Sequence, residues 1–404
     1  MTRTLLRRTA LAASMVLAVA LTGCSTATTT SGGSAGGTGG AQPPKVAELK
    51  KLGAGEGALN IIAWAGYAED GSNDKTVDWV HPFEQQTGCH VNVKIGNTSD
   101  EMVQLMRTGQ YDGVSASGDA TLRLIYAGDV APVNTSLVPN YASISSFLKN
   151  KAWNSVKGTM YGIPHGWGAN VLLYNPKVVT PKPDSWSVVF DKAGPYKGKV
   201  TAYDSPIYIA DAALYLMRTN PSLGIKDPYS LTEKQLDAAV TLLKQQNANV
   251  GEYWADYTKA VQAFESGSTE VGTTWQVIAN LIASDKKVPV ATVLPKEGAT
   301  GWSDTWMVSS KAKHPNCMYR WMNWITSPKV NAQVAEWFGE APAQTKACTE
   351  TSDKSFCATY HATDAAYASR IHYWTTPQKQ CVDGSGNGCT DYSEWVTKWQ
   401  QIKG

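Results

Sequence analysis

The stretch 301-GWSDTW-306 carries the residue types best suited to gripping a charged molecule. In an extended segment, side chains two apart share a face. Trp302, Asp304 and Trp306 then line up as a carboxylate between two indoles. A bare carboxylate among rings is costly to bury unless something charged or hydrogen-bonding meets it. Aromatic faces attract alkylammonium cations by about 0.5–2 kcal/mol each. A charge-assisted hydrogen bond to carboxylate is about twice as strong as a neutral one. The pattern points to a cation held by Asp304 between rings; the alternative is a solvated edge strand.

Catalytic patterns are absent. There is no G-x-S-x-G elbow, and 194-GPYKGKV-200 has the wrong spacing for a phosphate loop. His81, His90, His165, His314, His361 and His372 form neither H-E-x-x-H nor a cluster with cysteines, which argues against zinc. His165, in 162-GIPHGWG-168, reads as a loop histidine. With no nucleophile–base pair in sight, an enzyme is not expected. One metal pattern remains. In 383-DGSGNGCTDYSE-394, Asp383, Ser385, Asn387 and Glu394 fall at calcium-loop spacing, with glycine at the sixth position. The competing reading is a glycine-rich loop closed by a disulfide, with Asp391 and Glu394 capping the final helix. No other cofactor is implied.

The elements that must position these residues alternate between strand and helix. A strand over 59–66 leads to a helix near 76–88 closed by Gly88, then an alternating strand, 89-CHVNVKI-95. Thr98 and Glu101 form a capping box for the next helix, and a third strand enters 111-YDGVSASGD-119. The same grammar returns in the strand 199–205, the proline-led helix 206–219, a helix capped by Ser230 and Glu233, a helix near 258–266 and the strands 269–275 and 288–295. Another proline-led helix, 327–339, precedes a cysteine-rich tail. Short links between such units predict parallel sheets covered by helices on both faces.

The ends supply an address. Arg3, Arg7 and Arg8 precede the apolar run 9–21, which has signal-peptide layout and stops at 21-LTGC-24. The Ser/Thr/Gly tract that follows suits a flexible tether. Of seven cysteines, Cys24 belongs to this region, and the other six suggest three disulfides in an exported chain. Local spacing favours Cys348–Cys357 and Cys381–Cys389, leaving Cys89–Cys317, among fifteen formal connectivities. Beyond the leader, 33 basic residues face 34 acidic ones, which argues against nucleic acid as a partner. The 15 Trp and 18 Tyr against 6 Phe favour surfaces that grip ligands, because Trp and Tyr pair an apolar body with a polar handle.

Several motifs together resemble the periplasmic spermidine/putrescine-binding proteins, the substrate-binding subunits of ABC importers, over about residues 58–345. The family's W-x-x-Y appears as Trp64 and Tyr67. Its Y-D motif is Tyr111-Asp112 with Ser117, although a tyrosine usual two places later is Asp119. Further matches are 167-WGAN-170, 185-SWSVVF-190 with 196-YKG-198, Trp275, and 295-PKEG-298 leading to Trp302 and Asp304. The likeness of 21-LTGC-24 to a lipobox makes Cys24 the lipidated residue. The resemblance implies that the aspartate grips an ammonium group while aromatic rings sandwich the ligand's methylenes. It implies ligand-binding roles for Trp64, Tyr67, Ser117, Asp119, Asp204, Tyr208, Trp254, Trp275, Trp302 and Asp304. One departure stands out in 203-YDSPIY-208. Asp204 matches the family's first aspartate, but its ligand-binding aspartate is Ser205 and its glutamate is Tyr208. The family's tail glutamine falls at Thr375, beside Trp374. With one carboxylate lost, a ligand held firmly at one end is expected.

The expected architecture is α/β, a two-domain periplasmic-binding-protein fold of type II with the ligand between domains. Residues 1–23 are read as a signal peptide and 24–57 as a lipid-anchored tether. Residues 58–163 with 300–345 form the first domain, 164–299 the second, and 346–404 a disulfide-rich segment packed on both. The expected protein is a monomer outside the cell membrane that delivers a small cationic amine to an ABC permease. A solute such as a sugar or amino acid on the same fold, or an exported hydrolase, are the rivals.

Overall fold

The computed structural model describes residues 42–404; the expected leader and Cys24 lie outside them. Two parallel strand–helix units open the first lobe. Strand β1 (Ala58–Ala63) pairs in parallel with β2 (His90–Ile95) and β3 (Gly113–Ala116). Helix α1 (Val80–Thr87) ends at Gly88, whose φ of 71° is the left-handed turn that glycine tolerates. The cap of α2 (Ser99–Arg107) differs from the expected box in one half. Thr98 accepts from the Glu101 N–H, but the Glu101 carboxylate reaches back to the Asn97 N–H instead. Helix α3 (Gly118–Ala127) follows β3 directly.

After a small hairpin, β4 (Ser155–Val156) and β5 (Thr159–Met160), comes the strand that joins the lobes. The sequence predicts a loop around His165. Instead, β6 runs from Ile163 to Tyr174, twelve residues and almost wholly buried. The second lobe contributes β7 (Val200–Tyr203), α4 (Ile209–Thr219), α5 (Glu233–Asn247), β8 (Val250–Trp254), α6 (Tyr257–Glu265), β9 (Val271–Trp275), α7 (Gln276–Asp285) and β10 (Ala291–Val293). The α5 cap is Thr232 with Gln235, two residues beyond the expected Ser230 and Glu233. The chain then returns through β11 (Ala299–Val308), α8 (Pro315–Ile325), α9 (Pro328–Phe338), β12 (Ala341–Pro342) and β13 (Ile371–Tyr373).

The sheet order is β2-β1-β3-β11-β6-β9-β7-β8. Strand β11 runs antiparallel between β3 and β6, and β6 in turn runs antiparallel to β9. Residues 163–169 of β6 therefore belong to the first lobe's sheet and residues 170–174 to the second's. This is the two-domain α/β arrangement expected. The lobes have separate cores, one around Trp79, Phe83, Trp306 and Trp321, another around Trp186, Tyr208, Leu236 and Trp395.

Three disulfides join Cys89 to Cys317, Cys348 to Cys357 and Cys381 to Cys389. The tether reading is too long at its C-terminal end. Leu49 and Leu52 pack on the first lobe's core, and Glu56 accepts hydrogen bonds from the Asn316 and Cys317 backbone. Apolar side chains and a carboxylate with partners fasten this stretch, as Ser and Gly cannot. Among the described residues, no helix is long and apolar enough to cross a membrane.

Candidate functional site

Between the lobes lies a cavity of about 400 Å³. Its first-lobe wall is Trp64, Ser117, Trp302, Asp304 and Phe338, with the 96–98 turn at its edge. The second lobe supplies Tyr203, Trp275 and the turn 255–257, and the C-terminal segment adds Trp374. The rings brace one another. Tyr203 stacks on Trp374 at 5.5 Å between centroids, and Trp275 meets Trp302 edge-on at 6.0 Å. Pockets of this size lined mostly by rings with few polar groups are the usual form of small-molecule sites.

Strand β11 aims Asp304 and Trp302 at the cavity from one face, as alternation requires. Trp306 shares that face but lies deeper, packed edge-on against Trp321 at 5.6 Å. Space for Trp302 comes from the strand opposite. Gly168 is its register partner, and a Cβ there would come within 2.7 Å of the indole. A bulge in β6 sets His165 between the two register partners Gly166 and Pro164. Gly166 leaves room for a carboxylate that the sequence reading missed, Glu340: a Cβ at 166 would lie 1.9 Å from its carboxyl carbon.

Asp304 is 3 % exposed and not bare. The Ser117 hydroxyl donates to Oδ1, and the Tyr67 hydroxyl lies 2.7 Å from Oδ2. Burial raises the Asp304 pKa, opposed by His165 and by the two hydroxyls. Tyr67 itself is fully buried, its ring 4.2 Å from Phe338 and 4.4 Å from His165. It stands behind the carboxylate and not in the aromatic wall, which corrects its expected place.

Other expected contacts also fall elsewhere. Asp119 is buried outside the cavity lining and accepts from Ser99 Oγ at 2.8 Å; burial pushes its carboxyl up to about 6. Trp254 lies behind Trp275, with ring centroids 5.0 Å apart. Tyr208 is in the second lobe's core, its hydroxyl 3.0 Å from Gln246 Nε2. Asp204 turns away from Tyr203 and binds Lys403 Nζ at 2.6 Å and Trp399 Nε1 at 3.2 Å. Ser205 caps a short helical turn, and Thr375 hydrogen-bonds the Tyr373 carbonyl. A further acidic side chain, Asp256, lies at the cavity mouth and is exposed. One of its oxygens caps α6 through the Thr258 N–H and hydroxyl, at 2.9 and 2.8 Å. Its cue in the sequence was the Asp–x–Thr cap itself, which signals a helix start and not a ligand.

The expected calcium-loop residues of 383–394 have partners within the protein. Asp383 accepts from the Ser385 N–H and hydroxyl, while Asn387 sits in a bridge with Gln380. Glu394 is in the first turn of the C-terminal helix Tyr392–Lys403, 3.5 Å from Lys379 Nζ. Asp391 caps that helix. Among the described residues, no group of three His, Cys, Asp or Glu side chains is placed to hold a metal.

The bacterial extracellular solute-binding protein pattern matches residues 78–361. The chain belongs to that family. It is 25% identical over 295 residues to the spermidine/putrescine-binding periplasmic protein of Escherichia coli (strain K12), covering 70% of this chain and 81% of that protein. It is equally identical over 299 residues to the putrescine/cadaverine-binding protein of Pseudomonas aeruginosa, covering 70% and 78%. The fold is similar to that of a putative spermidine/putrescine ABC transporter structure from Listeria monocytogenes. That match has a TM-score of 0.69 at 19% identity and covers 86% of this chain and 99% of the other.

Proposed function

We propose that this solute-binding protein captures a small cationic amine in the inter-lobe cavity and delivers it to an ABC permease, doing no chemistry on it. One observation carries the reading. Asp304 is a buried carboxylate, fixed by two hydroxyl donors, at the wall of a cavity otherwise built largely of aromatic rings. An ammonium group satisfies both features, since it donates to the carboxylate and lies favourably on ring faces. A neutral sugar would answer the rings and leave the buried charge without a counter-ion. The amine-binding relatives support the same class of ligand. Delivery follows from lobe closure about β6 and the neighbouring links, a hinge motion that presents the closed form to the permease. The chain acts as a monomer held at the outer face of the membrane through a lipid on Cys24.

A thermal-shift and calorimetric screen of diamines, quaternary amines, amino acids and sugars tests the proposal. Saturating ligand stabilises the folded state by mass action. Amines should raise the melting temperature; a response confined to anions or sugars would refute the reading.

A further inference from the structure

The Tyr67 hydroxyl lies 2.7 Å from Asp304 Oδ2 and 2.9 Å from Glu340 Oε2. A phenol has one hydrogen, and an ionised carboxylate can only accept. Tyr67 can therefore donate to one acid only. The second contact becomes a hydrogen bond when the other acid carries a proton and donates it to the phenol oxygen. Ser117 already donates to Asp304, which marks Asp304 as the anion and Glu340 as the donor. The remaining partners agree. His165 Nε2 is 2.9 Å from Ser115 Oγ, and its Nδ1 faces Glu340 Oε1 at 3.5 Å. With Ser115 donating to Nε2, Nδ1 carries its hydrogen but makes no hydrogen bond to Glu340, so Oε1 has no donor and Tyr67 is the hydrogen-bond partner of Oε2. Glu340 and His165 are both wholly buried.

We propose that Glu340 belongs to the cation site as its proton-holding residue: with Asp304 it forms one acid pair, joined through Tyr67, that keeps a proton in the ligand-free protein and releases it when a cation docks on Asp304. This rests on the cationic-amine reading above. The proton balance is simple. The Glu340 O–H proton passes to the Tyr67 oxygen, the phenol proton passes to Asp304, and one proton leaves Asp304 for water in the cavity. The phenol ends as it began, Glu340 is ionised, and the ligand's positive charge replaces the lost proton.

The other titratable groups near the pair are few. His165 on β6 lies beside Glu340, the Tyr360 phenol of the C-terminal segment is within electrostatic reach of Glu340, Asp119 on α3 is a further negative group within reach of Asp304, and Tyr203 faces from β7. Burial, then the neighbouring acids, raises Tyr67 far above the usual phenol range, so it relays and does not ionise. Burial first, and the Asp304 charge as well, raise the Glu340 carboxyl.

Calorimetry of the whole protein with putrescine, in buffers of differing ionisation enthalpy, reads the proton directly. Aliphatic amines stay fully protonated near neutral pH (ordinary pKa about 10.4), so any proton released comes from the protein. The expected result is a buffer-dependent heat amounting to a substantial fraction of one proton, with affinity rising up to about tenfold per pH unit. Glu340→Gln keeps a donor to Tyr67. It should bind like the wild type at low pH, yet fail to gain affinity as pH rises. A wild-type heat independent of buffer overturns the proposal without using any variant, as does undiminished proton release in Glu340→Gln. If neither putrescine nor tetramethylammonium binds, the cationic-amine reading falls and takes this proposal with it. Binding without proton release refutes only the role of Glu340.

Discussion

Trp302 on β11 stands directly across from Gly168 on β6, and the missing Cβ at 168 leaves the space that the indole occupies in the cavity wall. The Cβ of an alanine would sit 2.7 Å from the ring, closer than packing allows. Gly168→Ala should push Trp302 towards the ligand space. Overpacking of this kind costs about 1–3 kcal/mol. Part should appear as a lower melting temperature and part as weaker amine binding; an unchanged affinity would mean that the ring has another way to yield.

Asp256 is the second acidic side chain of the cavity, exposed and at the mouth. Exposed ion pairs contribute about 0–1 kcal/mol. Asp256→Asn should thus weaken a diamine by up to about fivefold and leave a monoamine unaffected. Paired titrations of putrescine and butylamine measure the difference, and equal losses for both would remove Asp256 from recognition of a second charge.

Asp211 on α4 is buried, and burial pushes its carboxyl up to about 8 from an ordinary 3.8. The folded state therefore holds a proton that the unfolded chain gives up in mild acid. Stability from this group is complete below about 4 and declines as pH rises towards about 8. Asp211→Asn should flatten that decline in urea melts recorded across the range. A slope as steep as the wild type's would place the dependence elsewhere.

Cys24→Ala should move the protein from the membrane fraction to the soluble one, if the lipid is the anchor. Retention in the membrane fraction without the cysteine contradicts the lipobox reading.

The parts of the site legible in the sequence are those that rest on alternation and motif. The face shared by Trp302 and Asp304 follows from strand period, and Trp64, Ser117 and Trp275 from the family resemblance. Strand β6 was illegible because 162-GIPHGWG-168 has three glycines and a proline, which read as a turn. Two of those glycines, Gly166 and Gly168, are there to make room for Glu340 and Trp302, contacts that no local pattern encodes. Tyr203 was missed for a similar reason. The family motif points to Asp204, yet successive residues of an extended chain face opposite ways, and it is Tyr203 that reaches the cavity while Asp204 meets Lys403. Glu340 follows a helix-ending glycine, a position that says nothing about burial until the tertiary fold brings Tyr67 to it.

The central claim is that Asp304 is the charge partner of the ligand, and Asp304→Asn tests it most directly. The amide keeps the shape of the carboxylate and removes its charge. A hydrogen bond to a charged group contributes about 1.5–3 kcal/mol, so calorimetric affinity for putrescine, or for the tightest amine found by screening, should fall about ten- to hundredfold. An affinity equal to that of the wild type, in a variant that melts at the wild-type temperature, would contradict the cation site.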